Sequence, residues 1–299
     1  KLRCQSVDTP ARIYMERADL MTDAYKMYEG SVSVPEMRAL AFKYFMEHKH
    51  LCINDGELIV GEKGDGPQKS PTFPELCCHT LEDMHVMNDR ELISFKVTDE
   101  DLKLQEEKII PYWEKRSIRH KIINAMTPEW RDCYESGIFT EFMEQRGPGH
   151  TVGSQKIYTK GFLDYQKDIQ DAMDKLDFLN DPEALDKQNE LKAMSIACDA
   201  IMILGKRYAA MAREMAEKET DPVRKEELLQ IAHNCDVVPA HKPETYWQAI
   251  QMYWFVHLGV TTELNPWDAY SPGRFDQHLN PFYLKDTEEG ILDDEKALE

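Results

Sequence analysis

The sequence contains no Cys-x-x-Cys pair, and its seven cysteines (Cys4, Cys52, Cys77, Cys78, Cys133, Cys198 and Cys235) share no repeated spacing. That leaves no case for a structural zinc, an iron–sulfur cluster or a disulfide framework, and it fits a reducing compartment. Long apolar runs are missing too. Nothing approaches the roughly 20 residues that cross a bilayer, and the opening KLRCQSVDTP lacks the apolar core of a signal peptide. A cytoplasmic location is expected. Positive charge is scarce, with 36 Lys and Arg against 55 Asp and Glu, for a net charge of −19. A field of that sign repels phosphate backbones and anionic lipid surfaces, so neither a nucleic acid nor a membrane is expected as partner. GxGxxG, GxxxxGKS/T, GxSxG and HExxH are all absent, which removes the main support for nucleotide-binding and zinc-hydrolase readings. No metal is expected.

What is present is the composition of a folded protein: 299 residues, 42% hydrophobic and 30% charged, enough for one large domain or two ordinary ones. Ile13, Arg17, Leu20, Met21, Ala24, Tyr25 and Tyr28 recur at helical steps and predict an amphipathic helix from Thr9 to Glu29. Residues 37–48 predict a second helix, and Glu57 to Gly61 (ELIVG), behind the Asn54-Asp55-Gly56 turn signal, reads as a short buried strand. Residues 63–80, with Pro67, Pro71 and Pro74, read as an ordered irregular loop. Helical patterns follow over residues 99–125 and 128–137, broken at Pro111 and Pro128. The longest runs from Pro182 to Glu219, and another begins at Asp221-Pro222. Residues 243–258 are rich in aromatics and read as a buried helix, and the β-branched stretch 256–262 reads as a core strand after it.

Few residues offer chemistry. Vicinal Cys77-Cys78 near His79 and His85 could serve a thiol or a metal, but adjacent cysteines rarely aim both sulfurs at one ion, and packed or idle thiols are the plainer reading. His150 follows the rigid turn Gly147-Pro148-Gly149, from which an imidazole can project into a pocket and move protons near neutral pH, or simply cap a loop. Asp268 lies among Asn265, Pro266, Trp267 and Tyr270 where core is expected, so its carboxylate needs either a protein cation such as Arg274 or a cationic ligand. Ser271 to Gln277 (SPGRFDQ) reads as a salt-bridged structural corner.

Several separated segments, in order, resemble the N-terminal half of glycyl radical enzymes of the pyruvate formate-lyase-like superfamily. They are Arg17 to Thr22 (RADLMT) with Tyr25, Arg38 to Ala41 (RALA), and Asp55 to Gly61 (DGELIVG). Gly149 to Val152 (GHTV), Lys160-Gly161 with Asp164-Tyr165, Val238-Pro239-Ala240, and SPGRFDQ with Pro281, Tyr283 and Asp286 complete the set. The resemblance covers essentially the whole chain, and SPGRFDQ is its most specific piece. It implies an α/β fold in which residues 1–299 form the N-terminal, mostly helical portion of one ten-stranded α/β barrel domain. The cysteine loop and the C-terminal glycyl radical domain are not expected within these residues.

By the same resemblance the cofactor is a glycyl radical on a glycine outside residues 1–299, installed by a radical S-adenosylmethionine activase, and the assembly is a homodimer. In the family's diol dehydratases a histidine is expected where Asp268 stands; a carboxylate there implies a cationic substrate. With His150 kept where dehydratases contact the departing hydroxyl, the pattern implies dehydration of trans-4-hydroxy-L-proline to pyrroline-5-carboxylate. On this reading His150 is catalytic, while Asp268 and Phe142 bind substrate, although Phe142 reads equally well as core packing. A lyase acting on choline, a diol dehydratase and a truncated non-catalytic interaction module are the alternatives.

Overall fold

Prolines and polar caps decide where this chain enters and leaves helix. In the computed structural model, which describes residues 2–139, 152–264 and 271–299, α1 (Leu2–Asp8) stops before Pro10 because a proline biases its predecessor away from helix. The chain runs extended through β1 (Arg12–Tyr14), and α2 (Glu16–Tyr28) starts only afterwards, later than the apolar periodicity from Thr9 suggests. Ile13 donates its amide to the Lys96 carbonyl at 2.9 Å, and the Arg12 side chain reaches Asp101 at 3.1 Å, tertiary contacts that outweigh local helical preference here. α3 (Val34–His48) opens on a capping box between Ser33 and Glu36, with Pro35 in its first turn.

β2 (Lys69–Pro71) pairs in parallel with β1, Ile13 opposite Ser70. These three residues lie inside the stretch read as an irregular loop, and they form the one sheet among the described residues. Thr80 and Thr98 cap α4 (Leu81–Asp89) and α5 (Asp99–Leu104) in the same reciprocal way. A π-helical turn, Gln105–Ile109, then continues without a break into α6 (Ile110–Trp113), so Pro111 lies within a continuous helical run and does not end it. The expected break therefore comes at Ser117, the cap of α7 (Ile118–Ala125), and α8 (Pro128–Glu135) follows.

Short α9 (Lys156–Thr159) precedes α10 (Phe162–Met173), whose first amides are satisfied in an unusual way. Phe162 donates to the Pro239 carbonyl at 2.9 Å and Leu163 to that of Ala240 at 3.1 Å. Gly161 makes this approach possible, since a Cβ there would lie 2.2 Å from the Ala240 oxygen. α11 (Ala184–Lys218) is the 35-residue spine, as its periodicity predicts, and packs on α3, α10 and α12 (Pro222–Val237). Its buried stripe of Ile201, Leu204, Tyr208 and Ala212 meets Phe42, Phe45 and Met46 of α3 and Phe255 and Leu258 of the next helix.

That helix, α13 (Tyr246–Glu263), corrects the strand expected over residues 256–262. Tertiary packing keeps its β-branched end helical: Gly259 lets Ile201 of α11 approach closely, while the Thr261 hydroxyl is satisfied within the helix by donating to the His257 carbonyl at 3.0 Å. α14 (Phe275–Glu288), which the SPGRFDQ corner opens, and α15 (Asp294–Leu298) complete the chain.

The strand expected at ELIVG is likewise not a strand: the chain bends at Leu58 and Ile59, with Glu57, Val60 and Gly61 buried. Its backbone is paired with helix side chains instead. Gln251 of α13 accepts from the Val60 amide at 2.9 Å and donates to the Val60 carbonyl at 2.8 Å, reproducing both bonds of a strand neighbour. Trp247 and Trp254 donate to the Leu58 and Gly61 carbonyls, Arg224 donates to that of Glu57, and the Tyr208 oxygen accepts from the Glu62 amide. Gly61 is needed at its place, with φ +137° and the Trp254 indole 2.8 Å from where a Cβ would stand.

Candidate functional site

The C-terminal turn of α13, which precedes residues 265–270 in the chain, is anchored by two arginines. Arg17 sits on the apolar face of α2, only 1% exposed, and its guanidinium spreads over four oxygens of three residues. Nε donates to the Thr262 carbonyl at 2.7 Å, Nη1 to the Thr72 carbonyl and Glu75 Oε2 at 3.1 Å each, and Nη2 to the other Glu75 oxygen. Its plane lies 3.8 Å from the centre of the Phe73 ring. A buried charge needs such full satisfaction. One residue further along α13, Arg38 of α3 forks onto Glu263, with Nη2 to Oε2 at 2.9 Å and Nε to Oε1. Both arginines come from the RADLMT and RALA segments, and both act on the helix end whose unpaired carbonyls attract cations. An arginine in an otherwise apolar helical stripe was the signal available for Arg17; nothing local signalled Glu263 as its neighbour's partner.

A second junction lies beside α9 and α14. The Val152 amide donates to the Ser271 carbonyl at 3.4 Å. Around it, Val152, Ile157 and Tyr158 pack with Met252, Val256 and Leu279, and Leu264 and Phe275 close the cluster. Tyr158 stacks on His278 with ring centres 5.5 Å apart, while Tyr253 meets Phe275 edge-on at 5.6 Å. The Tyr158 hydroxyl is buried without a partner among the described residues, and burial pushes its pKa up to about 12. Arg274, at the start of α14, donates to Gln277 at 3.5 Å. No ion pair joins it to Asp276 among the described residues, and Phe275 opens α14 directly after it.

Between these features opens a cavity of about 1030 Å³, walled by α3, α10, α11 and α13. Phe42, Ile169, Met194, Ile201 and Val260 make it largely apolar, with the Arg38–Glu263 pair on its wall. Gly153, Lys156 and Leu264 also line it, so it borders the chain just after residue 151 and just before residue 265.

The predicted site residues themselves, Phe142, His150 and Asp268, lie outside the described residues. What the structure does show is that their flanks converge. Val152 and Ser271 are hydrogen-bonded although 119 positions separate them in sequence, and Leu264 packs in the same cluster. The cysteines take a quieter role. Burial pushes the Cys52 and Cys78 thiols up to about 12 and Cys198 to about 11, so they stay protonated and are inert as nucleophiles at neutral pH. Among the described residues no group of three or more His, Cys, Asp or Glu is placed to hold a metal ion, and no helix is long and apolar enough to cross a membrane.

A family model described as pyruvate formate lyase-like matches residues 1–299. The chain belongs to that family. It is 64% identical, over its whole length, to trans-4-hydroxy-L-proline dehydratase of Clostridioides difficile and covers 38% of that protein. The crystal structure of the hydroxyproline dehydratase from the same organism, with trans-4-hydroxy-L-proline bound, superposes with a TM-score of 0.96 over 99% of this chain and 38% of that one. Isethionate sulfite-lyase of Oleidesulfovibrio alaskensis is 32% identical over 96% of this chain and 36% of its own length. A glycyl radical enzyme from Archaeoglobus fulgidus gives a TM-score of 0.90 at 33% identity, covering 98% of this chain and 37% of that one. The chain thus spans less than two fifths of the length of these relatives. Its mostly helical architecture, with one small sheet, is that of the matching N-terminal part of the glycyl radical fold. In this family the reactive centre is a radical held on a glycine of the protein itself.

Proposed function

We propose that residues 1–299 are the N-terminal portion of a single glycyl radical domain that dehydrates trans-4-hydroxy-L-proline to pyrroline-5-carboxylate and water. The observation that carries this reading is the 64% identity over the whole chain to a dehydratase of that substrate, with a near-identical fold around the substrate-bound relative. The two sequence features that single out this substrate agree with it. The ring nitrogen is a secondary ammonium, and the Asp268 carboxylate offers a charge-assisted acceptor for it. The 4-hydroxyl needs a donor and a proton as it leaves, and an imidazole, here His150, is the side-chain type that can supply both near neutral pH. Phe142 walls the ring.

The chemistry asked of the complete protein is loss of the C4 hydroxyl as water with a proton from the ring ammonium, while one hydrogen atom leaves C5 and a hydrogen atom is returned to C4, so that the ring ends two hydrogens and one oxygen poorer and the radical is regenerated. Hydrogen-atom removal from C5, beside nitrogen, is what the glycine-borne radical supplies once a radical S-adenosylmethionine activase has installed it; the glycine and the cysteine it works through lie outside residues 1–299. This chain's own contributions are binding, orientation and proton movement. Asp268 holds the ammonium and so fixes the ring, while His150 holds the hydroxyl in line for departure. A reducing cytoplasmic setting and a homodimeric assembly belong to the same reading.

The test is an anaerobic assay of the complete, activated protein against trans-4-hydroxy-L-proline, choline, glycerol and 1,2-propanediol. Hydroxyproline should be consumed with pyrroline-5-carboxylate formed. Asp268→Asn should weaken hydroxyproline binding more than tenfold, from the roughly 1.5–3 kcal/mol of a charged hydrogen bond. Preferential turnover of choline or a diol, or unchanged affinity in the Asn variant, would overturn the assignment.

A further inference from the structure

We infer that the exposed apolar side chains of the α7–α8 hairpin, Ile118, Trp130 and Ile138, form a seat for polypeptide that follows residue 299 in the complete protein. The inference rests on the reading above that residues 1–299 are the N-terminal portion of a longer domain. α7 and α8 are amphipathic, and such helices ordinarily press their apolar stripe against a core. Here neither helix buries a single residue. The hairpin is nonetheless firmly built. Its root is tied to the body by the Ile118 and Arg119 amides, which donate to the Glu75 and Leu76 carbonyls at 2.9 Å each, and Glu75 is itself held by buried Arg17. The two helices are joined by polar bonds, Arg119 donating to the Tyr134 hydroxyl at 2.7 Å and Arg131 to the Ile123 carbonyl at 2.9 Å. Large apolar side chains are left outside these bonds, with Trp130 56% and Ile138 74% exposed and Phe139 edge-on to Trp130 at 5.6 Å. Exposed apolar surface on a fixed scaffold marks a place of contact.

Two observations choose the occupant. The substrate-bound relative superposes on 99% of this chain with a TM-score of 0.96, and the matched part is only 38% of that chain. Residues 1–299 therefore share the shape that such a domain takes in the company of a much larger remainder, and that remainder needs apolar surface to pack on. The other observation is size. α7 and α8 have eight residues each. Two helices of about 12 Å, side by side, offer on the order of 250 Å², well short of the roughly 800 Å² that each partner of a stable dimer contributes. A second copy would need far more than this face, whereas a segment already tethered to the same chain needs no more, because its effective concentration is high. The α7 end sets the chemistry of the occupant. Lys115, Arg116, Arg119, His120 and Lys121 cluster there in a chain of net charge −19, so the arriving segment should carry apolar side chains flanked by Asp or Glu.

The experiment uses the complete protein with Trp130→Cys or Ile138→Cys, labelled by a maleimide in the native state and in urea and read site by site by peptide mass spectrometry. Both sites should label at least tenfold more slowly in the native protein. Ile138 follows α8 and takes no part in the bonds between the helices, so its variant reports even where Trp130→Cys loosens the hairpin. Native labelling of both sites as fast as in urea would overturn the inference. Trp130→Glu supplies the second arm, with light scattering for the oligomeric state and a thermal scan for the midpoint. The oligomeric state should match the parent while the midpoint falls by several degrees. Dissociation into protomers at an unchanged midpoint would give the face to a second copy and overturn the assignment. Turnover of trans-4-hydroxy-L-proline by the activated parent is scored separately. Protection without turnover would keep this inference and remove the dehydratase reading; turnover with both sites freely labelled would do the reverse.

Discussion

Replacing Gln251 tests whether a helix side chain substitutes for a strand neighbour along ELIVG. Gln251 is 1% exposed and Val60 is fully buried, so neither Val60 backbone group can turn to water if the amide is lost. Gln251→Leu keeps the volume and strands one donor and one acceptor; at about 1–3 kcal/mol for each unsatisfied buried group, the loss should be about 2–6 kcal/mol at every pH. Gln251→Glu makes a sharper test. A protonated glutamic acid has one oxygen to accept from the Val60 amide and a hydroxyl to donate to its carbonyl, so it replaces the amide bond for bond. The ionised form can only accept, and its charge is buried. Its folded pKa must therefore be raised, so the contribution is fully present below the unfolded value near 4.3 and is lost as pH rises through the folded pKa. Urea denaturation of the complete protein at pH 5 and pH 8 measures this as a midpoint shift at constant slope. The Glu variant should lie near the parent at pH 5 and fall towards the Leu variant at pH 8. Should Gln251→Leu cost under about 0.5 kcal/mol, the scale of an inert surface change, or the Glu variant show no pH dependence relative to the parent, the pairing would not stabilise the segment as argued.

Glu57, 9% exposed, has its carboxyl pushed up to about 7 chiefly by burial, against which the bond from the Asn54 amide works. A raised carboxyl favours the protonated fold, so this group costs stability progressively as pH rises from about 4.5 to 7 and the cost stays constant above. Glu57→Gln should therefore stabilise the protein above pH 7 by at most about 3 kcal/mol, with the gain vanishing below pH 4.5; denaturation midpoints across that range check it. His150→Gln in the complete enzyme should lower turnover more than radical installation, read by comparing product formation with the radical signal. Equal loss of both would mean a folding defect instead.

The long helices were legible because their periodicity is strong: α3, α11 and α12 lie close to where apolar spacing, Pro182 and Asp221 put them. The two strand assignments failed for one shared reason. A short apolar run reports burial, and burial on all sides suits an extended segment or a helix equally. Residues 256–262 are buried between α3 and α11, where Gly259 permits helix packing, and Glu57 to Gly61 is buried against α13 with side chains as its partners. Residues 12–14 failed in the opposite sense, because the partner that makes them a strand lies at residues 69–71, beyond any local window. For the site, chemistry and resemblance offer His150, Asp268 and Phe142 as candidates, all outside the described residues. The sequence could not show that Thr262 and Glu263 are gripped by Arg17 and Arg38, since those pairings span 245 and 225 positions.

The start of α10 illustrates what a helix loses when its positive pole is already occupied. Bare amides at such a pole would welcome a phosphate or a carboxylate. Here the Pro239 and Ala240 oxygens, together with the Asp164 side chain on the Gly161 amide, saturate it from within. No anionic guest can seat there without first prising two main-chain segments apart, and any residue larger than glycine at position 161 would force the same separation. A substitution at Gly161 would thus open an unintended anion trap as well as loosen a joint.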